Sequence, residues 1–342
     1  MTKILFLTRL YKPHVGGVEK HVEEISKILS KTHNIVIVAE QDNPDEPLTE
    51  NYPEAQVFRI PLDHSSEKHK KITIWKWWWK HLHLLSTADI IHVHDVFFWI
   101  LPFRFLFPRK KFFITFHGYE GASEPGFRQI LWHKVGELLS AGNICIGDFH
   151  KNWYGTKPSL VSYGAVTAPK NISQTKSSGI MYLGRLANDT GIMAYLTAAK
   201  NLGLNIDIYG DGPLRSEAER ISKFHHIKAK FFGFVSNASR FIPKYEVIYT
   251  SRYLGIMEAL AAKVPVIAHY DSQIKHDYLA LAPFAEYIDI CSSSGEISVA
   301  TKRALSTPHA YQRQLDAGYN WVSKQTWAKL SSQYENLWGQ HH

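Results

Sequence analysis

Short apolar runs alternate with amphipathic segments along the first half of the chain. Residues 4–8 form a nearly continuous apolar run, and apolar residues then recur at helical spacing at Val18, Val22, Ile25 and Leu29. Further apolar runs predict buried strands at 34–39, 90–93, 112–116 and 143–146. Buried strands that alternate with helices are typical of parallel βαβ units in a doubly wound α/β sheet.

The same alternation restarts in the second half, after a polar stretch at 167–178 that lacks periodicity and predicts an interdomain linker. A helix is predicted at 191–202, and strands are predicted at 179–184, 204–209, 228–232, 247–249 and 264–268. The chain thus predicts two Rossmann-like domains, 1–168 and 169–325, with parallel sheets facing across a cleft. Ligands of such sheets bind beyond the carboxyl ends of the strands. The remaining segment, 326–342, is predicted to be a C-terminal helix that packs back on the N-terminal domain.

Length and composition agree with two globular domains. The 342 residues suffice for two domains of roughly 170 residues each, and 45% apolar with 20% charged residues excludes disordered and coiled-coil classes. Only two cysteines are present, which excludes a disulfide scaffold and a four-thiolate metal site. No run approaches the ~18 apolar residues of a membrane-spanning helix. The apolar start is too short for a secretory signal, so a cytoplasmic location is expected.

The net charge of +8 is concentrated in a basic, aromatic part of the first half. Four of the ten tryptophans lie between residues 75 and 79, among several lysines, and residues 97–113 add a second group of aromatic and basic residues. On a helix over 71–85, one apolar stripe would comprise Ile72, Trp75, Trp78 or Trp79, Leu82 and Leu85.

Two interpretations of this helix remain open. It could pack into the core, or it could lie on an anionic membrane as a basic helix with tryptophan anchors. Trp77 favours the membrane, because it falls outside the main stripe and widens the aromatic band. The predicted membrane-contacting residues are Lys71, Trp75, Lys76, Trp78, Trp79 and Lys80. Nucleic-acid binding, in which aromatic residues stack on bases, is a competing class, but no nucleic-acid-binding signature accompanies the cluster.

Candidate chemistry in the first half follows predicted strands. Gly16 and Gly17 open a helix after the first strand, where backbone N–H groups can face an anion, although a structural turn explains them equally well. The segment 92–95, His-Val-His-Asp, offers metal-ligand types without supporting spacing, so a loop at the edge of the cleft is the preferred interpretation. His117 ends the next strand, where its imidazole could bind a hydroxyl or pass a proton.

The second half repeats this arrangement. Arg185 follows a strand, and its planar guanidinium suits phosphate oxygens, although a surface ion pair is the plain alternative. The glycines of segment 210–213 form another strand-to-helix turn and could be purely conformational. Glu258 interrupts an apolar helix. Its carboxylate could accept hydrogen bonds from two ribose hydroxyls, or it could be an exposed first-turn residue that the helix dipole favours.

Together these motifs resemble the retaining glycosyltransferases of family 4, which have the two-domain GT-B fold, over nearly the whole chain. The segments that carry the resemblance are 16–21, 115–118, 183–186, 209–214, 232–235 and 258–266. The resemblance implies an enzyme that moves a sugar from a nucleotide-sugar donor, held mainly by the C-terminal domain, to an acceptor hydroxyl. The nucleotide sugar is a substrate, and neither a cofactor nor a metal ion is expected.

The resemblance also assigns residues, by position in this sequence. Arg185 would hold the diphosphate, Glu258 the ribose and residues 233–235 the base, with His117 near the donor sugar; these three named side chains are the catalytic candidates. The candidate donor-binding residues are Gly184, Arg185, Thr190, Gly210, Gly233, Val235, Tyr253, Leu254, Gly255, Glu258 and Lys275. The candidate acceptor-binding residues are Gly16, Gly17, His21, Asp95 and His117.

Two positions depart from the family pattern. Thr250 stands where the family usually has a Glu that contacts the sugar, and Thr190 stands where it usually has a Lys. Loss of a cation from the diphosphate site could cost a few kcal/mol of transition-state stabilisation unless another group substitutes, and Lys275 is our candidate for that substitute.

The mechanism that the resemblance implies is front-face transfer with retention, because no nucleophilic carboxylate is identifiable near the cleft. The expected acceptor is a lipid-linked or cell-surface glycan at the inner face of the membrane. A nucleotide-sugar epimerase or an inactive binding relative of the same fold remains the alternative.

Overall fold

The computed structural model describes residues 1–62, 67–119, 124–168, 179–306 and 308–339. These residues divide into two units. The first comprises Met1–Tyr119, Pro125–Ser162 and the C-terminal stretch from Trp327, and the second comprises Tyr163–Thr326 together with Glu124. The N-terminal part of the first unit therefore ends at Ser162, whereas the expected boundary is residue 168. The predicted linker lies almost wholly outside the described residues, since 169–178 are not among them.

The first unit contains an eight-stranded sheet in the order β3-β4-β2-β1-β5-β6-β7-β8. All neighbouring strands are parallel except the edge pair β3 and β4. The strands are β1 Lys3–Leu7, β2 Asn34–Glu40, β3 Thr49–Tyr52, β4 Ala55–Ile60, β5 Ile90–His94, β6 Phe112–Phe116, β7 Gly142–Ile146 and β8 Leu160–Ser162. Every residue of β5, β6 and β7 is buried, as expected for parallel strands covered on both faces.

Seven α-helices belong to this unit among the residues that the structure describes. They are α1 Gly17–Leu29, α2 Glu67–Lys80, α3 Leu82–Thr87, α4 Leu101–Leu106, α5 Phe127–Leu139, α6 Phe149–Tyr154 and α13 Trp327–Gly339. The C-terminal helix α13 packs against α1, and its Tyr334 and Trp338 are buried. Because Val22, Ile25 and Leu29 of α1 are buried at helical spacing, the apolar pattern of the sequence describes the face that this helix uses.

The second unit contains a six-stranded parallel sheet in the order β11-β10-β9-β12-β13-β14. The strands are β9 Ile180–Leu183, β10 Ile206–Tyr209, β11 Ala229–Gly233, β12 Val247–Tyr249, β13 Val266–His269 and β14 Asp289–Cys291. The helices are α7 Ile192–Leu202, α8 Arg215–Phe224, α9 Tyr253–Ala261, α10 Gln273–Ala280, α11 Ser294–Ser306 and α12 Pro308–Val322. This strand order is that of a six-stranded Rossmann sheet, whose order reverses between β9 and β12.

The predicted helix over 71–85 is two helices, α2 and α3, which part at His81. Lys70, Ile74 and Trp78 are the buried positions of α2, and they recur every four residues along one face. Ile72, Trp75 and Trp79 are exposed on another face. The prediction that joined Trp78 to the stripe of Ile72 and Trp75 was therefore wrong, as was its place among the membrane-contacting residues. Trp78 is 0% exposed and belongs to the core under the sheet.

Trp77 also differs from its expected role. It packs against the core and stacks on His81 with ring centroids 3.9 Å apart. It therefore gives no support to a wide aromatic band on the surface. The buried Lys70 is balanced by Glu40, whose carboxylate lies 2.8 Å from the lysine Nζ. None of the described helices combines the length and the apolar character that crossing a membrane requires.

We expect the two neighbouring tryptophans of α2 to differ sharply in their effect on stability. Trp78→Ala removes a fully buried indole and should lower the free energy of unfolding by about 3–5 kcal/mol. Trp79→Ala, at a position 64% exposed, is the matched control and should change it by less than about 0.5–1 kcal/mol. Denaturant unfolding measures both changes, as shifts of the midpoint concentration at an unchanged slope of the free energy against denaturant. Equal effects of the two changes would contradict the burial described here.

Candidate functional site

The sheet of the second unit brings two arginines together where its strand order reverses. Arg185 follows β9, and Arg252 follows the adjacent strand β12. One carboxylate joins them: Asp189 Oδ1 lies 3.4 Å from Arg185 Nη2, and Asp189 Oδ2 pairs with Arg252 Nη2. Asp189 is mostly buried, whereas Arg185 is 65% and Arg252 35% exposed. The arrangement presents two guanidinium groups at the edge where ligands of such sheets bind.

Arg252 is a candidate that the sequence analysis missed. Its signal was available, because it follows a predicted strand just as Arg185 does, and it precedes the apolar helix that carries Glu258. Lys275 was the predicted substitute cation. Lys275 is 0% exposed, and its Nζ donates to the Ser251 carbonyl at 2.7 Å. Burial, reinforced by the nearby Arg252, holds the pKa of Lys275 well below its usual value, which disfavours its charged form.

The turns after β9 and β10 are held by backbone contacts. Thr190 is buried, and its hydroxyl lies 2.7 Å from the Arg185 carbonyl oxygen. Gly210 has φ +142°, and a Cβ there would stand 1.9 Å from the carbonyl oxygen of Gly184. Glycine is required at 210 because the two turns touch through their backbones. These three predicted donor-binding residues thus shape the turn that carries Arg185.

The predicted base-binding residues form the turn after β11. Gly233 is buried with φ +69°, and Val235 is half-buried. A Cβ on Gly233 would stand 2.8 Å from Nη1 of Arg215. The turn therefore packs close to the start of α8, with the Val235 side chain partly open.

Helix α9 presents a narrow accessible strip at its start. Leu254 and Glu258 are half-buried and lie four residues apart, so they share one face, while the rest of the helix through Ala261 is buried. Gly255 packs on Thr250, whose Oγ1 would lie 2.6 Å from an added Cβ. Thr250, which stands where the family pattern has a Glu, is thus a small buried side chain beneath the helix. Tyr253 is also buried, stacked on Tyr278 at 3.9 Å, and its N–H donates to the Tyr278 hydroxyl.

In the first unit, a chain of hydrogen bonds joins α13 to the sheet. The Trp338 indole N–H donates to His92 Nδ1 at 3.0 Å. Since an indole can only donate, His92 carries its proton on Nε2, which lies 2.7 Å from Thr115 Oγ1. Thr115 Oγ1 lies 2.8 Å from the Tyr334 hydroxyl, which in turn lies 2.8 Å from His21 Nε2.

His21, His94 and His117 meet at the carboxyl edge of this sheet. His94 Nδ1 lies 2.8 Å from His117 Nε2, and the rings of His21 and His117 meet edge to face at 4.7 Å. Asp95 accepts the backbone N–H of His117 at 2.9 Å. Because His94 engages Nε2 of His117, the other nitrogen, Nδ1, is the one that remains for further contacts. The ligand atoms of the three histidines lie within 4.8 Å of one another.

Burial keeps these imidazoles neutral. It lowers the pKa of His21 to about 3 and holds the pKa values of His94 and His117 well below the usual 6.5, with smaller contributions from neighbouring histidines. His117 is half-buried and is the most accessible of the three. A neutral imidazole can accept or donate a hydrogen bond to a sugar hydroxyl without adding charge.

The glycines of the first loop stand beside this group. Gly16 is the N-cap of α1 with extended backbone, and Gly17 is the first helical residue. A Cβ on Gly17 would meet no atom within 4 Å among the described residues. Packing therefore does not explain Gly17, and the N–H groups at the start of α1 stand at the carboxyl edge of β1.

We expect acid to weaken the first unit through its neutral histidines. His21 has an ordinary pKa of 6.5 when unfolded but about 3 when folded, so between these values only the unfolded chain binds the proton. Its stabilising contribution is complete above pH 6.5 and is lost as the pH falls toward 3. Unfolding midpoints of wild type and His21→Gln, compared from about pH 7 to about pH 4, measure this. The variant should lose stability less steeply; identical slopes would contradict the assignment, since carboxylates affect both proteins alike.

Comparison with known proteins agrees with this architecture. Residues 15–154 match the family model described as Glycosyltransferase Family 4, and no curated protein sequence is significantly similar to the chain. Sucrose-phosphate synthase from Thermosynechococcus elongatus has a similar structure, with a TM-score of 0.80 and 16% identity over 99% of each chain. HepE from Anabaena, solved with UDP and glucose, has a TM-score of 0.75 and 14% sequence identity over 99% of this chain and 100% of its own.

A further similar structure is WaaG, a glycosyltransferase involved in lipopolysaccharide biosynthesis, with a TM-score of 0.67 and 13% identity over 97% of this chain and 98% of that one. At such identities the likeness concerns the fold, and the predicted GT-B fold is confirmed. Together the comparisons lead to one conclusion: the chain has the GT-B fold, and its residues 15–154 match the model of glycosyltransferase family 4.

Proposed function

We propose that the protein transfers a sugar from a UDP-sugar to an acceptor hydroxyl, with retention of the anomeric configuration and without a metal ion. The observation that carries this proposal is the pair of guanidinium groups of Arg185 and Arg252, joined by Asp189 at the point where the strand order of the second unit reverses. Two fixed cations there suit a leaving diphosphate, whose negative charge grows as the sugar departs. HepE, of similar fold, was solved with UDP, which favours a uridine nucleotide.

Arg252 supplies the positive charge that the family pattern places on a lysine at position 190. Thr190, at that position, is buried and bonded to backbone, so it supplies no charge. Arg252 supplies a charge from the neighbouring strand instead, and Asp189 orients both guanidinium groups. In the proposed complex Glu258, with its half-buried carboxylate, accepts the ribose hydroxyls, and the turn at Gly233 borders the base.

The acceptor is proposed to bind at the carboxyl edge of the first sheet. Its polar groups are neutral: the imidazole of His117, and the backbone N–H groups at the start of α1 near Gly17. Neutral donors and acceptors suit a sugar hydroxyl better than a charged ligand. In the proposed step the bond from sugar C1 to the diphosphate oxygen breaks, the acceptor oxygen bonds to C1 on the same face, and the acceptor proton passes to the departing phosphate. No enzyme nucleophile enters this balance.

A peripheral membrane contact is proposed for the exposed face of α2, and with it a lipid-linked or cell-surface glycan acceptor at the inner face of the membrane. The face now comprises Ile72, Trp75 and Trp79, which are exposed at helical spacing, flanked by the exposed cations Lys71, Lys76 and Lys80. Aromatic anchors beside lysines favour the interface of an anionic bilayer. Trp78 has no part in it, because it is buried.

The donor site is tested by UDP release from a panel of UDP-sugars, with and without acceptor glycans. Wild type should turn over at least one sugar, and Arg185→Ala and Arg252→Ala should each lower kcat/KM about 10²–10³-fold. Arg303→Ala is the matched control, since Arg303 also pairs with a carboxylate, Asp289, but stands on α11. Equal activity of Arg252→Ala and the control would refute the role of Arg252, and no turnover of any UDP-sugar would refute the proposed donor.

The membrane contact is tested by co-sedimentation with vesicles of anionic or of neutral phospholipid. Wild type should bind the anionic vesicles, and the double variant Trp75→Ala, Trp79→Ala should bind at least about tenfold more weakly, because each indole contributes buried apolar area. Phe224→Ala, at a position 75% exposed in the second unit, is the control. Undiminished binding by the double variant, or none by wild type, would rule out this face.

A further inference from the structure

A second group of ligand-type side chains lies in the first unit, apart from the residues assigned above. His133 on α5, Cys145 on β7 and His150 on α6 come from three consecutive elements of the chain. One nitrogen of each histidine and the cysteine sulfur lie within 4.8 Å of one another. Because β7 connects α5 to α6, the fold itself brings the three together.

This group stands on the other face of the sheet from His21, His94 and His117. Successive residues of a strand point to opposite faces. Thr115 contacts Tyr334 on one face, and His117 continues that face with His21. Phe116, between them, points the other way and stacks on the ring of His133 at 3.6 Å. The second group is therefore separate from the proposed acceptor site.

The polar atoms of this group lack hydrogen-bond partners. His133 Nε2 and both ring nitrogens of His150 are buried and make no hydrogen bond of normal geometry in the part of the chain that the structure describes, although the Phe116 backbone lies near enough to His150 to affect its pKa. The Cys145 thiol makes one long contact, 3.8 Å to Asn143 Oδ1. Aromatic rings enclose the imidazoles: Tyr154 stacks on His133 at 4.4 Å, and Phe149 lies 4.1 Å from His150. Buried polar atoms in folded proteins normally have a hydrogen-bond partner, so three such nitrogens in one place need an explanation.

The histidines of the first group do not have this need to the same degree. His94 Nδ1 and His117 Nε2 bond to each other at 2.8 Å, and His21 Nε2 bonds to Tyr334 at 2.8 Å. That group also contains no thiol. Within that group, among the described residues, His94 Nε2 is the one ring nitrogen that is buried without a partner, so the group with Cys145 has both the softer ligand and more unsatisfied nitrogens.

The protonation states suit a metal ion. Burial lowers the pKa of His133 to about 3 and that of His150 well below its usual value, although the Phe116 backbone opposes the latter shift. Both imidazoles are therefore neutral at physiological pH and can donate a lone pair. Burial raises the pKa of the Cys145 thiol to about 12, so its proton leaves only when a cation takes its place.

We propose that His133, Cys145 and His150 form a binding site for a thiolate-preferring transition-metal ion, Zn²⁺ in the first instance. Binding replaces the thiol proton by the metal, releases one proton to solvent and forms one metal–sulfur and two metal–nitrogen bonds. Two imidazoles and one thiolate match the ligands that zinc takes in proteins, and a fourth position is left for water or for Asn143 Oδ1 beside the sulfur. The ion would tie α5, β7 and α6 together, away from the proposed reaction.

The full-length protein, freed of metal by a chelator, is titrated with Zn²⁺ and separately with Co²⁺. We expect one Zn²⁺ bound per chain, and a thiolate-to-cobalt charge-transfer band with Co²⁺. Cys145→Ser should abolish that band and weaken Zn²⁺ binding at least about tenfold. Cys291→Ser, which changes the other buried cysteine of the chain, is the matched control and should retain both.

Two further variants separate the groups and guard against misfolding. His133→Gln removes a ligand at a half-buried position and should also weaken Zn²⁺ binding, whereas His94→Gln, in the other group, should not. The proposal is overturned by wild type that binds no Zn²⁺, or by a wild-type Co²⁺ spectrum without the thiolate band, neither of which depends on a variant folding. Loss of Zn²⁺ binding in His94→Gln with retention in Cys145→Ser would assign the ion to the other histidines.

Discussion

Apart from the antiparallel edge pair β3 and β4, both sheets consist of parallel strands whose faces are covered by helices, and this one constraint decides where a substrate can bind. β5, β6 and β7 are buried along their whole length, so a functional group there can meet a substrate from solution only at a strand end. The residues with accessible polar groups accordingly follow strands: Arg185 after β9, Arg252 after β12 and His117 after β6. The carboxyl edge is the part of each unit that the covering helices leave open.

The two edges differ in charge. The second unit presents guanidinium groups held by a mostly buried carboxylate, whereas the first presents imidazoles that burial keeps neutral. A nucleotide diphosphate needs cations, and a sugar hydroxyl needs uncharged donors and acceptors. This contrast supports a division of labour between donor and acceptor within the GT-B fold. The hydrogen-bond network from Trp338 to His21 contributes to this edge, since each of its members leaves the next with a defined hydrogen-bonding role.

Sequence patterns predicted an element correctly where the burial of its side chains follows a regular repeat along the chain. Periodicity located α1 and the apolar strands of both sheets, because burial of a regular element repeats along the chain. It failed on α2, where tryptophans occur at consecutive positions and every possible face looks apolar. The antiparallel pair β3 and β4 also escaped prediction, since its pattern is weak: β3, with the sequence TENY, has no buried residue. Arg252 was overlooked although it follows a predicted strand, and its pairing with Asp189, which is remote in sequence, is visible only in the tertiary structure.

The sequence by itself determined the fold class, the two-part organisation and the motifs that mark the strand ends, since these depend on composition and on neighbours along the chain. Tertiary structure alone decided which tryptophan of α2 is core, which cation faces the open edge, and which imidazoles are neutral. Lys275 and Arg252 illustrate the difference: both are cations in the sequence, but burial removes one from the surface and leaves the other partly open. Desolvation depends on everything packed around a group, and that is set only when distant segments meet.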